Sequence, residues 1–186
     1  MFSCFAARVR DNNHEPLTNS STEKATPFSY GSGHVRPNRA MNPGLVYDLT
    51  TNDYLNFLCA LGYNSTQIKT FSNEPYVCPS KPIGIQHLNY PSITVPRLSG
   101  SASVTRAVRN VGAPGTYVAR VVAPKGITVE VTPSRLEFSK VGEEKKFEVS
   151  MKAKASGPSD YVFGALIWSD GIHYVRSPIV VNSRGF

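Results

Sequence analysis

The chain has 186 residues, 40% hydrophobic and 18% charged, with a formal net charge of +7. That length holds one good domain with extra material or two small ones, and that composition is ordinary for a globular fold. No run of about 18 apolar residues occurs, which excludes a membrane-spanning helix, and Met1 to Arg8 has too short an apolar core for the ~7–15 residues of a secretory leader.

Taken in chain order, Met1 to Ala25 divides into a short head and a linker. Thr18 to Thr26 is rich in serine and threonine and reads as mobile. Pro27 to Asp48 places prolines and glycines at turn-like positions, with Gly31-Ser32-Gly33 marking a tight turn, and ends in the apolar Leu45-Val46-Tyr47. Thr50-Thr51-Asn52-Asp53 matches a capping box. Tyr54, Leu58 and Leu61 follow at helical spacing with Leu55 on the same side, and Gly62 ends the helix. That spacing predicts a helix with one buried face.

From Leu88 the period changes to two. Strands are predicted over Leu88–Val95, Ser103–Val108, Tyr117–Val122, Ile127–Thr132, Leu136–Phe138, Phe147–Lys152, Val162–Trp168 and Tyr174–Val181. Turn signals separate them, among them Pro124-Lys125-Gly126 and the hairpin signal Asp170-Gly171. Short strands at this density describe a mainly β fold, an immunoglobulin-like or fibronectin type III-like sandwich. Arg106 falls on the same face as Val104 and Val108, so it lies at the sheet edge or faces a neighbouring domain. The basic excess sits in this half: residues 85–186 hold thirteen Lys and Arg against seven Asp and Glu. Lys145, Lys146, Lys152 and Lys154 alternate with Glu143, Glu144, Glu148 and apolar residues, which is a solvated strand face rather than a nucleic-acid surface.

Candidate chemistry is sparse. His14, His34, His87 and His173 are scattered, and Cys4, Cys59 and Cys78 lack the paired spacing of a zinc site, so no metal or cofactor is expected. Ser32 and His34 stand two residues apart without an orienting acid, which gives no nucleophile. His173 follows a turn and is expected to face solvent. The aromatic residues Phe138, Phe147, Phe163 and Trp168 read as sandwich core. Asn19-Ser20-Ser21 and Asn64-Ser65-Thr66 are N-glycosylation triplets in polar loops.

Two sets of motifs carry a resemblance to a known family. One is Pro27-Phe28, Gly31-Ser32-Gly33-His34-Val35, Pro37, Ala40 and Pro43-Gly44-Leu45-Val46-Tyr47-Asp48. The other is Asn89-Tyr90-Pro91, Val104-Thr105-Arg106-Ala107-Val108-Arg109-Asn110-Val111-Gly112, Val131-Thr132-Pro133 and Ile167-Trp168-Ser169-Asp170-Gly171. Together they resemble the C-terminal portion of the plant subtilisin-like serine proteases, over nearly everything after Ala25.

The resemblance implies three parts: residues 1–48 as a C-terminal remnant of the peptidase domain, a short α/β tail; 49–84 as a helical connector; and 85–186 as a fibronectin type III-like sandwich. It also implies a Cys59–Cys78 disulfide with Cys4 free, His34 as a structural hydrogen-bonding residue, and Ala6–Asn12 as the end of a helix. Leu45-Val46-Tyr47 would serve a peptidase core. The implied family activity is endopeptidase cleavage in the apoplast or secretory pathway. The family's nucleophile lies in a Gly-Thr-Ser-Met type motif, whereas the sequence here has only Gly115-Thr116, followed by Tyr117. No catalytic residue is assigned and the chain by itself is expected to be inactive. Its partner would be the peptidase domain, with no nucleic acid and no membrane. The alternative is a stand-alone protein-interaction module.

Overall fold

A computed structural model describes residues 7–72, 74–154 and 160–182. In chain order its elements are β1 (Ala7–Arg8), α1 (Pro27–Tyr30), β2 (His34–Val35), α2 (Pro37–Ala40), β3 (Leu45–Val46), α3 (Thr51–Ala60), α4 (Ser65–Ile68) and a 3₁₀ turn at Ile85–His87. The strands β4 (Ile93–Val95), β5 (Ser101–Asn110), β6 (Gly115–Val122), β7 (Ile127–Thr132), β8 (Arg135–Phe138), β9 (Glu144–Ala153), β10 (Val162–Ser169) and β11 (Tyr174–Val181) follow.

Alternating side chains drive the architecture. In β9 the apolar set Phe147, Val149 and Met151 points to one face and is buried, and a strand with one such face must lay it against another layer. The result is a fibronectin type III-like sandwich. A five-stranded sheet in the order β4-β11-β10-β6-β8 packs on a four-stranded sheet in the order β3-β5-β9-β7. Val104, Val108, Phe147 and Val149 from one sheet meet Tyr117, Leu136, Trp168, Val175 and Ile179 from the other in a single core. The Phe147 and Trp168 rings meet edge to face at 5.1 Å. Fully burying each such apolar side chain is worth about 1.5–3 kcal/mol.

The four-stranded sheet holds a strand the sequence reading did not assign. Leu45 pairs with Asn110 and Val46 with Arg109, antiparallel. Leu45 is 0% and Tyr47 4% exposed, inside the sandwich core, and the Tyr47 hydroxyl is 2.7 Å from the Ser177 Oγ across the sandwich. These residues therefore do not wait for a peptidase core. Gly44 makes the approach possible at φ +77°, since a Cβ there would lie 2.4 Å from the Tyr117 hydroxyl.

Arg106 is at the sheet edge, one of the two placements the sequence allowed. Beyond β3 the outer edge of β5 has no partner strand among the described residues, and the loop of residues 86–92 closes over it. Arg106 is 4% exposed and donates to the carbonyl oxygens of Gln86 at 2.8 Å, Thr105 at 2.9 Å, Tyr90 at 3.0 Å and Ser92 at 3.2 Å. Burial pulls its guanidinium down to about 10, so it stays charged at neutral pH. The Asn89 side-chain amide takes the place of a strand: its Oδ1 accepts from Ala107 N at 2.7 Å and its Nδ2 donates to Ala107 O at 3.0 Å. This also shortens the predicted strand over Leu88–Val95 to Ile93–Val95, because residues 85–92 form the 3₁₀ turn and loop that seal β5.

Other expectations are corrected. Ala7–Arg8 is a strand paired with His34–Val35, not the end of a helix. Beyond it, Asp11 Oδ1 accepts from Asn13 N and Glu15 N, a local turn that competes with helical bonding. The Ser/Thr-rich linker is ordered by Asn19, whose Oδ1 accepts from Ser21 N and Glu23 N. Helix α3 has its capping box at Thr50 and Asp53, but of its apolar residues only Leu55 is buried; Tyr54 is 39% and Leu61 48% exposed. Cys4, assigned above as a free thiol, and Ala6 lie outside the described residues.

Candidate functional site

The two outer faces of the sandwich differ in chemistry. Cross-strand partners share a face, so the register gives the outer rows directly. On the four-stranded sheet these rows join Thr105 with Glu148, Ala107 with Lys146 and Arg109 with Glu144, a polar, mixed-charge surface that water satisfies. On the five-stranded sheet they join Phe163 with Val180, Ala165 with Pro178 and Ile167 with Arg176, and continue to Val122 and Arg120 on β6. Phe163 is therefore not core. Period two sends Gly164, Leu166 and Trp168 inward, leaving Phe163 on the far side.

That apolar outer face is covered by a third layer, the strap formed by residues 27–44. Phe28 meets Phe163 at 5.4 Å and Tyr161 at 5.1 Å, both edge to face. Arg176 donates to the carbonyl oxygen of Ser32 at 3.5 Å, and the Arg39 guanidinium lies over the Tyr174 ring. Gly31 and Gly33, at φ +60° and +115°, turn the strap between α1 and β2. The strap leaves its own apolar side chains uncovered, with Phe28 64%, Val35 60% and Met41 87% exposed. Val35 and Met41 are thus left to solvent on a strap whose Phe28 packs on the sheet.

At the far end of the strap, His173 is tucked beneath Gly44 rather than facing solvent. The loop positions it: Asp170 Oδ1 accepts from the backbone N of Ile172 and His173, and Asp170 Oδ2 is 2.7 Å from His173 Nδ1. Burial raises the Asp170 carboxyl, but the bonds from the His173 side chain and from the two backbone N–H groups outweigh it and hold the group at about 2. Burial, with Asp170 nearby, pushes the Tyr117 hydroxyl upward. Among the described residues no serine is bonded to this His–Asp pair, whose His173 Nε2 is buried without a partner, so it serves as a brace rather than a nucleophile's relay. His34 sits exposed in β2, and among the described residues its side chain makes no hydrogen bond. Among the described residues no group of three His, Cys, Asp or Glu could hold a metal ion.

The connector carries the other assigned residues. The structure joins Cys59, at the end of α3, to Cys78 in the proline-rich loop, with Cα atoms 5.7 Å apart. Tyr76 adds a hydrogen bond to Asn56 Oδ1 at 2.6 Å. Asn64 caps α4 and Asn19 holds the linker turn, and both are exposed. Arg109 ties the segment after β3 to the sheet through ion pairs to Asp48 at 3.1 Å and Glu144 at 3.5 Å.

Comparison with known proteins adds two findings. A family model described as a fibronectin type-III domain matches residues 87–181. Subtilisin-like protease SBT5.4 of Arabidopsis thaliana is 53% identical over 95% of this chain, which is 23% of that protein. Subtilisin-like protease SBT5.3 of the same plant is 54% identical over 95% of this chain and 23% of its own length. Subtilisin-like protease Glyma18g48580 of Glycine max is 44% identical over 96% and 23%. The chain thus spans 23% of the length of these curated relatives.

Proposed function

The chain belongs to the fibronectin type-III domain family and corresponds to the C-terminal part of plant subtilisin-like proteases, and from that premise we propose that it is a non-catalytic module that stabilises the peptidase domain of such a protease. The observation that carries this reading is the strap. It binds the sandwich through Phe28, Arg39 and the Ser32 carbonyl oxygen and keeps an uncovered side with Val35 and Met41. The occupant of that side is the peptidase domain, which accounts for the length of the relatives that this chain does not cover. The whole protein's activity would be serine endopeptidase cleavage. The chain itself holds no Gly-Thr-Ser and supplies no nucleophile, base or oxyanion donor.

We divide the chain accordingly. Residues 49–84 are the connector, 85–186 the sandwich with β3 as its borrowed edge strand, and the remainder of 1–48 the part that faces the peptidase domain. The protein passes through the secretory pathway to the apoplast. The close approach of Cys59 and Cys78 supports this, since a disulfide persists in oxidising compartments, as do the triplets at Asn19 and Asn64. Purified chain should neither hydrolyse casein nor label with a fluorophosphonate serine probe. Stoichiometric labelling at one serine would overturn the non-catalytic assignment.

A further inference from the structure

Leu61 to Gln67, where the chain leaves α3 and enters α4, is exposed at every residue. Gly62, at φ +94°, turns the backbone outward. Leu61 is 48%, Tyr63 38% and Phe71 57% exposed, and the Tyr63 and Phe71 rings meet edge to face at 6.1 Å. Tyr63, one ring of that pair, directly precedes Asn64 of the triplet Asn64-Ser65-Thr66. Asn64 Oδ1 accepts from Gln67 N at 3.0 Å, and the Asn64 backbone N donates to Gln67 Oε1 at 2.9 Å. The capping box thus engages the amide oxygen and leaves Nδ2 without a hydrogen bond among the described residues. The other triplet is different. At Asn19 the Oδ1 accepts from two backbone N–H groups and the Nδ2 donates to Glu23 Oε2 at 3.2 Å, a local turn that needs no tertiary partner to form.

We propose that Asn64 is the N-glycosylated residue of this chain and that the first sugar of its glycan covers the patch of Leu61, Tyr63 and Phe71. The inference rests on the secretory-pathway reading above. Asn64 Nδ2 attacks the anomeric carbon of a lipid-diphosphate-linked oligosaccharide. The N–C bond forms, the carbon–oxygen bond to the diphosphate breaks, the lipid diphosphate departs with the bonding pair, and Nδ2 releases one proton. The apolar C–H face of the sugar then lies on the rings while its hydroxyls face water, the amphipathic match that aromatic side chains favour. A glycan here turns this side of the connector to solvent and leaves the strap as the docking side.

The test expresses the chain behind a heterologous leader in a plant secretory host, with glycopeptide mapping of both triplets. Occupancy at Asn64 is expected to exceed that at Asn19 several-fold. Thr66→Ala, which leaves the capping box intact, should remove the Asn64 glycan. Enzymatic removal of the glycan should raise the fluorescence of a hydrophobic dye several-fold, and Phe71→Ser should abolish that rise. A folded, secreted chain with Asn64 bare, or dye binding unchanged on deglycosylation, would overturn the proposal. Because the leader enforces entry, a glycosylated test chain beside unglycosylated protein in the native plant would refute the location and leave the site standing.

Discussion

Leu45→Ala removes a side chain that is 0% exposed in the sandwich core, although it lies 40 residues before the sandwich as the sequence delimits it. Large-to-small changes at such sites cost about 2–5 kcal/mol, with the upper range where the cavity cannot collapse. Here the side chain is held by a strand only two residues long, which relaxes more easily, so about 3 kcal/mol is the expected loss. For a domain of this size that lowers the melting temperature by roughly 10–18 °C. Tyr47→Phe isolates a second contribution. It leaves the buried Ser177 hydroxyl without its 2.7 Å partner, at about 1–3 kcal/mol. Urea unfolding of the purified chain, followed by Trp168 fluorescence, measures both. A Leu45→Ala midpoint within about 0.5 kcal/mol of wild type, the range of an ordinary surface change, would show that β3 is not part of the cooperative unit.

Arg106→Met should destabilise by about 1–3 kcal/mol, because it strips partners from part-buried carbonyl oxygens of residues 86–92; hydrogen exchange should quicken in that loop, and unchanged exchange would refute the sealed-edge account. Reducing the Cys59–Cys78 bond, 19 residues apart in sequence, should loosen the connector by about 3 kcal/mol without altering the near-ultraviolet signal of the core, and loss of that signal would contradict an independent sandwich. Asp170, held at about 2 against a usual 3.8, contributes stability that is present above pH 3.8 and fades as pH falls through 2. The wild-type advantage over Asp170→Asn should therefore shrink across that window, and a constant difference from pH 5 to 2 would refute the brace.

Strands such as Ile127–Thr132 and Phe147–Lys152 were legible because they carry a local period of two, and Ile127–Thr132 and Tyr174–Val181 are bounded as read. Leu45-Val46 was not, since two residues carry no period and their partners, Asn110 and Arg109, lie more than 60 positions away. The α3 pattern showed a helix but not its surroundings, and of its apolar residues only Leu55 is buried. Phe163 and His173 were misplaced for a similar reason. Hydrophobicity told that Phe163 would pack, but only the register told on which face. An exposed-loop prior missed the backbone bonds that fold His173 under Gly44. The face proposed for docking, finally, is defined by what the strap leaves uncovered, a property of tertiary packing that no local signal encodes.

The most direct test replaces the matching region of Subtilisin-like protease SBT5.4 with this chain and measures the half-life of proteolytic activity at elevated temperature, beside variants Val35→Glu and Met41→Glu. The account predicts an active enzyme whose half-life falls several-fold with either variant, while the same substitutions leave the melting temperature of the isolated chain unchanged. Equal half-lives for all three enzymes would show that the strap does not meet the peptidase domain.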